Sequence, residues 1–145
     1  GLVPPTFTDT EFEVIGTAQT AENKKWDADM GRYEKFPFPF YKGSFKTATV
    51  RNIELTAPYM HNGAYNSLNE VVDFYNNGGG VGHGFNIPYQ TLPTDSLHLS
   101  DQEKEALIAF MESLTDTTGL TSMPAHLPQF PNNDSLNTRK IGGEY

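Results

Sequence analysis

The sequence contains no cysteine, and this absence excludes several kinds of site. A chain without cysteine forms no disulfide bond, no thiolate metal site and no thioether attachment to a c-type haem within itself. The sequence also lacks an apolar run long enough to span a bilayer, so we expect no membrane span. No signal peptide is visible at Gly1, which leaves a cytoplasmic chain or a mature or internal part of an exported protein as alternatives.

Positive charge is scarce, with 10 Lys and Arg against 18 Asp and Glu and a net charge of −8. Nucleic acid and anionic membrane surfaces would repel such a chain, so neither is predicted as a partner. An acidic surface suits a basic partner, such as a small basic electron carrier. The alternative is that the charge only keeps the protein soluble.

Two helices are predicted, each from a serine and a glutamate at the spacing of a capping box. The first begins at Ser67 and ends at the glycines 78–80, and the second begins at Ser100. Apolar residues at helical spacing predict a buried face on each helix. For the first these are Leu68, Val71, Val72 and Tyr75, and for the second Leu107, Phe110, Met111 and Leu114, with Ile108 beside them.

The rest of the chain is predicted to be mostly irregular, because it contains 10 prolines and 13 glycines. The alternating Phe and Pro of residues 36–40 exclude a helix and predict an extended aromatic segment over an apolar surface. Residues 47–55 alternate too imperfectly to predict a strand. Residues 120–145 are predicted as a tail that wraps the surface or is partly mobile. The predicted class is mainly α with long loops.

Motifs for common chemistries are missing. The four histidines, His61, His83, His98 and His126, have no spacing that would place two of them on one helix face for zinc. The glycine-rich residues 80–84 lack the Lys-Ser/Thr of a phosphate-binding loop. No nucleophile-elbow pattern is present.

Phe45 to Gly80 reads FKTATVRNIELTAPYMHNGAYNSLNEVVDFYNNGGG. This segment resembles the signature of the di-haem cytochrome c peroxidase and MauG family. Members carry close variants of F-K-T-P-T-L-R-N, then L-T-A-P-Y-M-H-D-G, then a helix like L-E-E-V-V-x-F-Y. The helix within Leu99–Thr115, the turn Asp27–Arg32 and the tail Arg139–Tyr145 also resemble parts of family members. The resemblance extends over nearly the whole chain.

The resemblance implies a particular place in a larger protein. In that family two cytochrome c-like domains each hold a haem through a C-x-x-C-H motif, which this chain lacks. Residues 1–119 would be a C-terminal cytochrome c-like domain without its haem-attachment segment, mainly α with long irregular loops and little or no strand. Residues 120–145 would follow as the tail. The chain would form the distal side of the second haem pocket, with haem c attached outside it.

Tyr75 matches the family position that supplies the distal axial ligand of the second haem. The resemblance implies methionine there in the ordinary peroxidases and tyrosine in MauG-like members. A phenolate favours ferric and higher oxidation states, so Tyr75 favours MauG-like oxidation over electron relay. The alternative is that Tyr75 is a core aromatic residue.

Five further residues receive roles from the resemblance. Met60 is either a rival thioether ligand or a packing residue. His61 is expected near the haem or the domain interface, and Arg51 either binds a haem propionate or is a plain surface arginine. Thr56 and Pro58 match positions whose carbonyl oxygens bind calcium between the two domains, with a further protein ligand from the N-terminal domain.

The implied function is that of an exported, periplasmic oxidoreductase that reduces hydrogen peroxide or uses it for oxidation. Its partners would be the N-terminal haem domain of the same protein and an electron donor such as a small cytochrome c or cupredoxin. Peroxide would react in the N-terminal domain, so no catalytic residue is assigned here and the chain alone is expected to be inactive. The alternatives are an electron-transfer cytochrome domain and a haem-free binding or scaffold module.

Overall fold

The computed structural model describes residues 5–22 and 25–118, together with Pro131 and Asn137. Its helices are α1 (Leu68–Asn76), α2 (Gly79–Gly82) and α3 (Asp101–Ser113), and its strands are β1 (Phe12–Val14) and β2 (Ser44–Lys46). Short 3₁₀ turns cover Arg32–Glu34, Pro39–Tyr41 and Ile53–Leu55. The predicted class, mainly α with long irregular loops and little strand, is confirmed.

Two predictions about the end of the chain are outside this description. The domain boundary at residue 119 stays a prediction. The predicted tail 120–145, including the family-like segment Arg139–Tyr145, lies outside the described residues except for Pro131 and Asn137. Within the part that is described, no helix has the length and apolarity that crossing a bilayer requires.

The small sheet was not predicted. β1 and β2 pair antiparallel, with Phe12 opposite Lys46 and Val14 opposite Ser44. Three residues are too few to show the alternation by which a strand is recognised in a sequence. The pairing closes residues 15–43 into one large loop, and it buries Val14 and Ser44.

Helix α1 has the predicted capping box. The Ser67 hydroxyl accepts from the Glu70 amide at 3.3 Å, and the Glu70 carboxylate accepts from the Ser67 amide at 2.9 Å. The predicted buried face is partly wrong: Leu68 and Val72 are buried, but the buried aromatic residue is Phe74, 1% exposed, and not Tyr75. Phe74 is held between the rings of Tyr65 and His83, with both centroids 5.6 Å away.

Helix α3 also has its predicted capping box, formed by Ser100 and Glu103. Its predicted buried stripe is wrong for Leu107 and Phe110, which are exposed, while Ile108 and Met111 pack against the core. With 3.6 residues per turn, the apolar side chains of α3 cover an arc of about 160°. The described residues pack against one half of that arc, and on the other half the half-exposed Phe110 ring meets only the edge of the Phe7 ring, with centroids 6.1 Å apart.

The core cluster joins the loop before α1 to α1 itself. Its buried members are Tyr59, Ala64, Tyr65, Leu68 and Phe74. Partly buried residues from the start of the chain, from the Ile53–Leu55 turn and from α3 pack around it. The loop over residues 59–65 is therefore fixed by the same contacts that hold α1.

Glycines let two backbone segments touch beside α1. Gly78, at φ 86°, ends α1 as predicted, but the unpredicted short helix α2 follows at once. The Gly80 amide donates to the Ile15 carbonyl at 2.9 Å. A Cβ on Gly16 would lie 2.9 Å from the Gly80 Cα, and a Cβ on Gly80 would overlap the Gly16 carbonyl oxygen. Only two residues without side chains allow this approach.

Candidate functional site

The residues singled out by the sequence centre on the loop that enters α1. The Ala57–Pro58 peptide bond is cis, and Tyr59 and Tyr65 then pair across the loop through amide–carbonyl hydrogen bonds of 2.7 and 3.4 Å. The Tyr59 hydroxyl donates to the Ile53 carbonyl at 3.1 Å. The loop is thus closed on itself and tied to the turn before it.

His61 is held in place by a carboxylate and an aromatic ring. Its Nε2 lies 2.8 Å from Oδ2 of Asp27, and the imidazole stacks on the Phe45 ring with centroids 3.5 Å apart and planes 10° apart. The side-chain Nδ2 of Asn62 donates to the same Asp27 oxygen at 2.8 Å and to the Ala18 carbonyl at 2.8 Å. His61 therefore fixes the loop against the turn that carries Asp27.

The pKa of Asp27 reflects these contacts. Burial acts to raise the pKa of this carboxyl, but hydrogen bonds with His61, the Asp29 amide and Asn62, together with the His61 charge, outweigh it and lower the pKa below its ordinary value. The pair keeps little exposure, 16% for the His61 side chain and 15% for that of Asp27. The contact of Asp27 with His61 is the feature of the site that the sequence did not predict.

Met60, Thr56 and Pro58 occupy different surroundings on the same loop. Met60, at φ 71°, is partly buried and packs against the core cluster. Thr56 and Pro58 are exposed, and the Thr56 hydroxyl donates to the Ile53 carbonyl at 3.0 Å. The packing alternative for Met60 therefore agrees with its surroundings.

Tyr75 lies on the side of α1 that the core does not cover. Its ring is 38% exposed and meets the Phe74 ring edge-on, with centroids 5.5 Å apart. Desolvation of the phenol raises its pKa, and the negative charge of Glu13 raises it further. The phenol is therefore protonated at neutral pH, as the ordinary pKa near 10 already implies.

Arg51 is joined to the start of the described chain. Its Nε donates to the Pro5 carbonyl at 2.7 Å, and its guanidinium carbon lies 5.3 Å from the centre of the Phe7 ring. Hydrogen bonds from Thr118 and the charge of Arg51 lower the pKa of Asp116. Arg51 thus has contacts of its own, separate from those of Met60, His61 and Tyr75.

Of the loop residues, Met60 is connected to Tyr75 through the core residue Phe74. Met60 packs against the cluster that includes Phe74, and Phe74 contacts Tyr75. Among the residues that the structure describes, no group of three or more His, Cys, Asp or Glu side chains is arranged to hold a metal ion. The predicted ligands in this chain are the Tyr75 phenol and carbonyl oxygens of the loop, so a complete metal site would need further ligands from elsewhere.

Comparison with known proteins shows which class this arrangement belongs to. The chain is 40% identical over 102 residues to the cytochrome-c peroxidase IdrP1 of Denitromonas iodatirespirans, covering 70% of this chain and 26% of that protein. It is 31% identical over 121 residues to the methylamine utilization protein MauG of Methylorubrum extorquens, covering 81% of this chain and 31% of that protein. No protein-family model matches the chain.

A solved structure agrees with these relatives. The fold matches a MauG-like protein associated with microbial copper homeostasis with a TM-score of 0.54 and 30% identity, covering 74% of this chain and 33% of that one. The chain is homologous to a part of the cytochrome c peroxidase and MauG proteins, which confirms the resemblance noted in the sequence. It spans between a quarter and about a third of the length of the relatives described here.

Proposed function

We propose that this chain forms the distal side of the second haem pocket of an exported, periplasmic di-haem oxidoreductase. The whole protein would reduce hydrogen peroxide or use it for oxidation. Homology to proteins named cytochrome c peroxidase and MauG supports this class. The observation that carries the proposal for this chain is Tyr75, a partly exposed phenol on a capped and well-packed helix.

The residues of this chain fit one side of a haem pocket but do not supply the attachment of the haem. The chain has no cysteine, so the thioether bonds and the proximal histidine would belong to a segment outside it. A haem bound there would supply the redox chemistry. Tyr75 would bind as phenolate, and because its pKa is raised, its proton leaves only when a cation compensates the charge. A hard phenolate donor favours MauG-like oxidation over electron relay.

The neighbouring residues take supporting roles in this proposal. His61, held by Asp27 and Phe45, positions the loop, and Met60 packs beneath it. Arg51 has its Nε bonded to a carbonyl, so a haem propionate would meet its terminal nitrogens.

Calcium is the second group that the chain would help to hold. Carbonyl oxygens of the exposed Thr56 and Pro58 would be two of its ligands. Because calcium takes six to eight oxygen ligands, the rest would come from water and from the N-terminal domain.

The exposed apolar half of α3 supports a partner within the same protein. Leu107 and Phe110 present large apolar side chains to solvent in this chain. Exposed apolar patches mark surfaces that another element covers. We assign the N-terminal haem domain as that element. The net charge of −8 suits a basic electron donor, such as a small cytochrome c or a cupredoxin.

The decisive test is Tyr75→Phe in the complete product of the gene that encodes this chain. If the phenolate ligates iron, the optical and electron paramagnetic resonance spectra of one haem change, because the axial ligand is lost. Tyr89→Phe, which removes the hydroxyl of a similarly exposed tyrosine, is the matched control and leaves the spectra unchanged. Unchanged spectra for Tyr75→Phe would contradict the assignment.

A second measurement separates the function classes. Covalent haem that survives denaturation of the complete gene product agrees with the oxidoreductase, and its absence would favour a haem-free binding module. Peroxide turnover with a reduced electron donor then separates a peroxidase from an electron-transfer cytochrome.

A further inference from the structure

The segment from Lys35 to Lys42, here called the aromatic loop, presents three phenylalanines to solvent. Phe36, Phe38 and Phe40 are 50%, 55% and 52% exposed. The sequence predicted that this segment is extended and lies over an apolar surface. The extended conformation holds at Phe38 but is wrong for Pro39–Tyr41, which forms a 3₁₀ turn. The expected apolar surface beneath the segment is wrong, because the three phenylalanines are half exposed.

The aromatic loop is internally ordered. The rings of Phe38 and Phe40 stack at 5.7 Å and 15°, and the Phe40 ring contacts that of Tyr41 at 4.4 Å. The Gly43 amide donates to the Met30 carbonyl at 3.0 Å and ties the end of the loop to the preceding turn. Because the rings are already in place, burying them against a partner costs little conformational entropy.

Most backbone donors in the loop are bonded at short range or absent. Pro37 and Pro39 have no N–H. The other bonded amides donate to carbonyls at short range: Phe36 to Arg32 at 3.0 Å, Phe38 to Phe36 at 2.7 Å, Tyr41 to Phe38 at 2.9 Å and Lys42 to Pro39 at 3.3 Å. A loop with apolar side chains and satisfied amides loses few hydrogen bonds to water when it enters an apolar medium.

Charge around the aromatic loop is opposite to that of the whole chain. Residues 32–42, which include the loop and the turn before it, contain three basic residues and one acidic residue, a net charge of +2, although the chain as a whole carries −8. The basic ones are Arg32, Lys35 and Lys42, and the acidic one is Glu34. Distant charges are screened within about 8–10 Å at ordinary salt, so the local charge decides what this surface attracts.

We propose that the aromatic loop binds the surface of an anionic lipid bilayer. Phe36, Phe38 and Phe40 enter the headgroup region, where aromatic rings are favoured, while Lys35 and Lys42 contact lipid phosphates from the two ends of the loop. Affinity for such a surface comes from buried apolar area together with attraction between basic residues and anionic lipids. The net charge of −8 therefore does not exclude an anionic membrane.

A lipid surface fits this loop better than an acidic protein does. Protein interfaces include about one hydrogen bond per 100–200 Å². The side chains of the exposed phenylalanines offer no hydrogen-bonding group, and most of the loop amides are already bonded. The proposal does not depend on haem, so its test is separate from that of Tyr75.

The test is sedimentation of the complete gene product with vesicles. We expect binding to vesicles of phosphatidylcholine mixed with phosphatidylglycerol, weaker binding at high salt, and little binding to phosphatidylcholine alone. Phe38→Ser is expected to weaken the partition by about tenfold, because it removes apolar area from the membrane contact. The matched control is Leu97→Ser, at a residue 51% exposed outside the loop, and it is expected to bind like the unchanged protein.

Charge variants complete the test. The double change Lys35→Glu with Lys42→Glu is expected to weaken binding by at least about tenfold, whereas Lys35→Arg with Lys42→Arg keeps it. No binding to anionic vesicles, or equal binding to neutral ones, would overturn the proposal. If charge reversal abolished vesicle binding and Phe38→Ser had no effect on it, the proposal would also be overturned, since binding that depends on charge alone is what an acidic protein partner would show. Thermal unfolding of each variant identifies any that fail to fold.

Discussion

Helices α1 and α3 each begin at a serine whose hydroxyl accepts from the amide of a glutamate three residues later, but their surroundings differ. In α1, Leu68, Val72 and Phe74 are buried, whereas α3 has no buried residue. α1 lies between the closed loop 59–65 and α3. On the outer side of α3, Leu107 and Phe110 are only half covered, and the Phe110 ring meets the Phe7 ring edge-on with centroids 6.1 Å apart.

The different burial of the two helices shows that the start of a helix is decided locally, whereas the burial of its face is not. A capping box needs only residues three apart, so the chain itself decides where each helix begins. Burial of a helix face depends on elements that are distant in sequence or outside the chain. The half-exposed side chains of Leu107 and Phe110 therefore support the proposal that another part of a larger protein packs there.

The largest contrast between the two helices is expected from removing one phenylalanine from each. Phe74→Ala creates a cavity in the core and is expected to cost about 3–5 kcal/mol of unfolding free energy. Phe110→Ala removes a half-exposed ring that contacts Phe7, and it is expected to cost clearly less, about 1 kcal/mol, in this chain. Urea unfolding of both variants measures the difference.

The same two substitutions, made in the complete gene product, test the difference between α1 and α3 more sharply. If a further domain covers α3, the cost of Phe110→Ala rises there while that of Phe74→Ala stays similar. Equal costs for both variants in this chain alone would show that the comparison of the two helices is mistaken.

Removing the caps should give a smaller effect that is the same for both helices. Ser67→Ala and Ser100→Ala each leave one amide without its acceptor and are expected to cost about 1 kcal/mol. Ser67→Asp and Ser100→Asp keep an acceptor and serve as controls. Clearly unequal losses from the two alanine variants, measured by thermal unfolding, would mean that tertiary contacts set the cap energies.

Acid is expected to loosen the loop before α1 through Asp27. Its pKa is lower in the folded protein than the ordinary value of 3.8, so its contribution to stability is present above about pH 4 and is lost as the pH falls through the folded pKa. Asp27→Asn should therefore be less stable than the unchanged chain at neutral pH and lose less stability below about pH 4. Acid unfolding followed by circular dichroism compares the two, and parallel curves would refute this role.

Much of the fold could be predicted from local signals. Both capping boxes, the glycine that ends α1 and the mainly α class follow from spacing and composition. The strands β1 and β2 have three residues each, and α2 is made almost entirely of glycine, so neither carries a periodic pattern. Phe74 and Tyr75 are adjacent aromatic residues on α1, and only packing against Tyr65 and His83 decides which one is buried.

The site was predicted by resemblance more than by physics. Resemblance to the family motifs indicated Tyr75, His61 and their neighbours, and the homology supports the family, but the roles of these residues stay predictions. The contact between His61 and Asp27 joins residues 34 positions apart, and no local pattern signals it. The charge reversal around the aromatic loop was visible in the sequence, but the net charge of the whole chain obscured it.

Gly16 and Gly80 leave no room for a side chain at the point where their two backbone segments touch. Even a methyl group at either position would separate two touching backbones. In a mutational scan scored by activity, nearly every replacement at either position would lower the activity, so the two positions would resemble active-site residues. Only a parallel scan of protein abundance would distinguish this intolerance, which is one of folding, from a loss of chemistry.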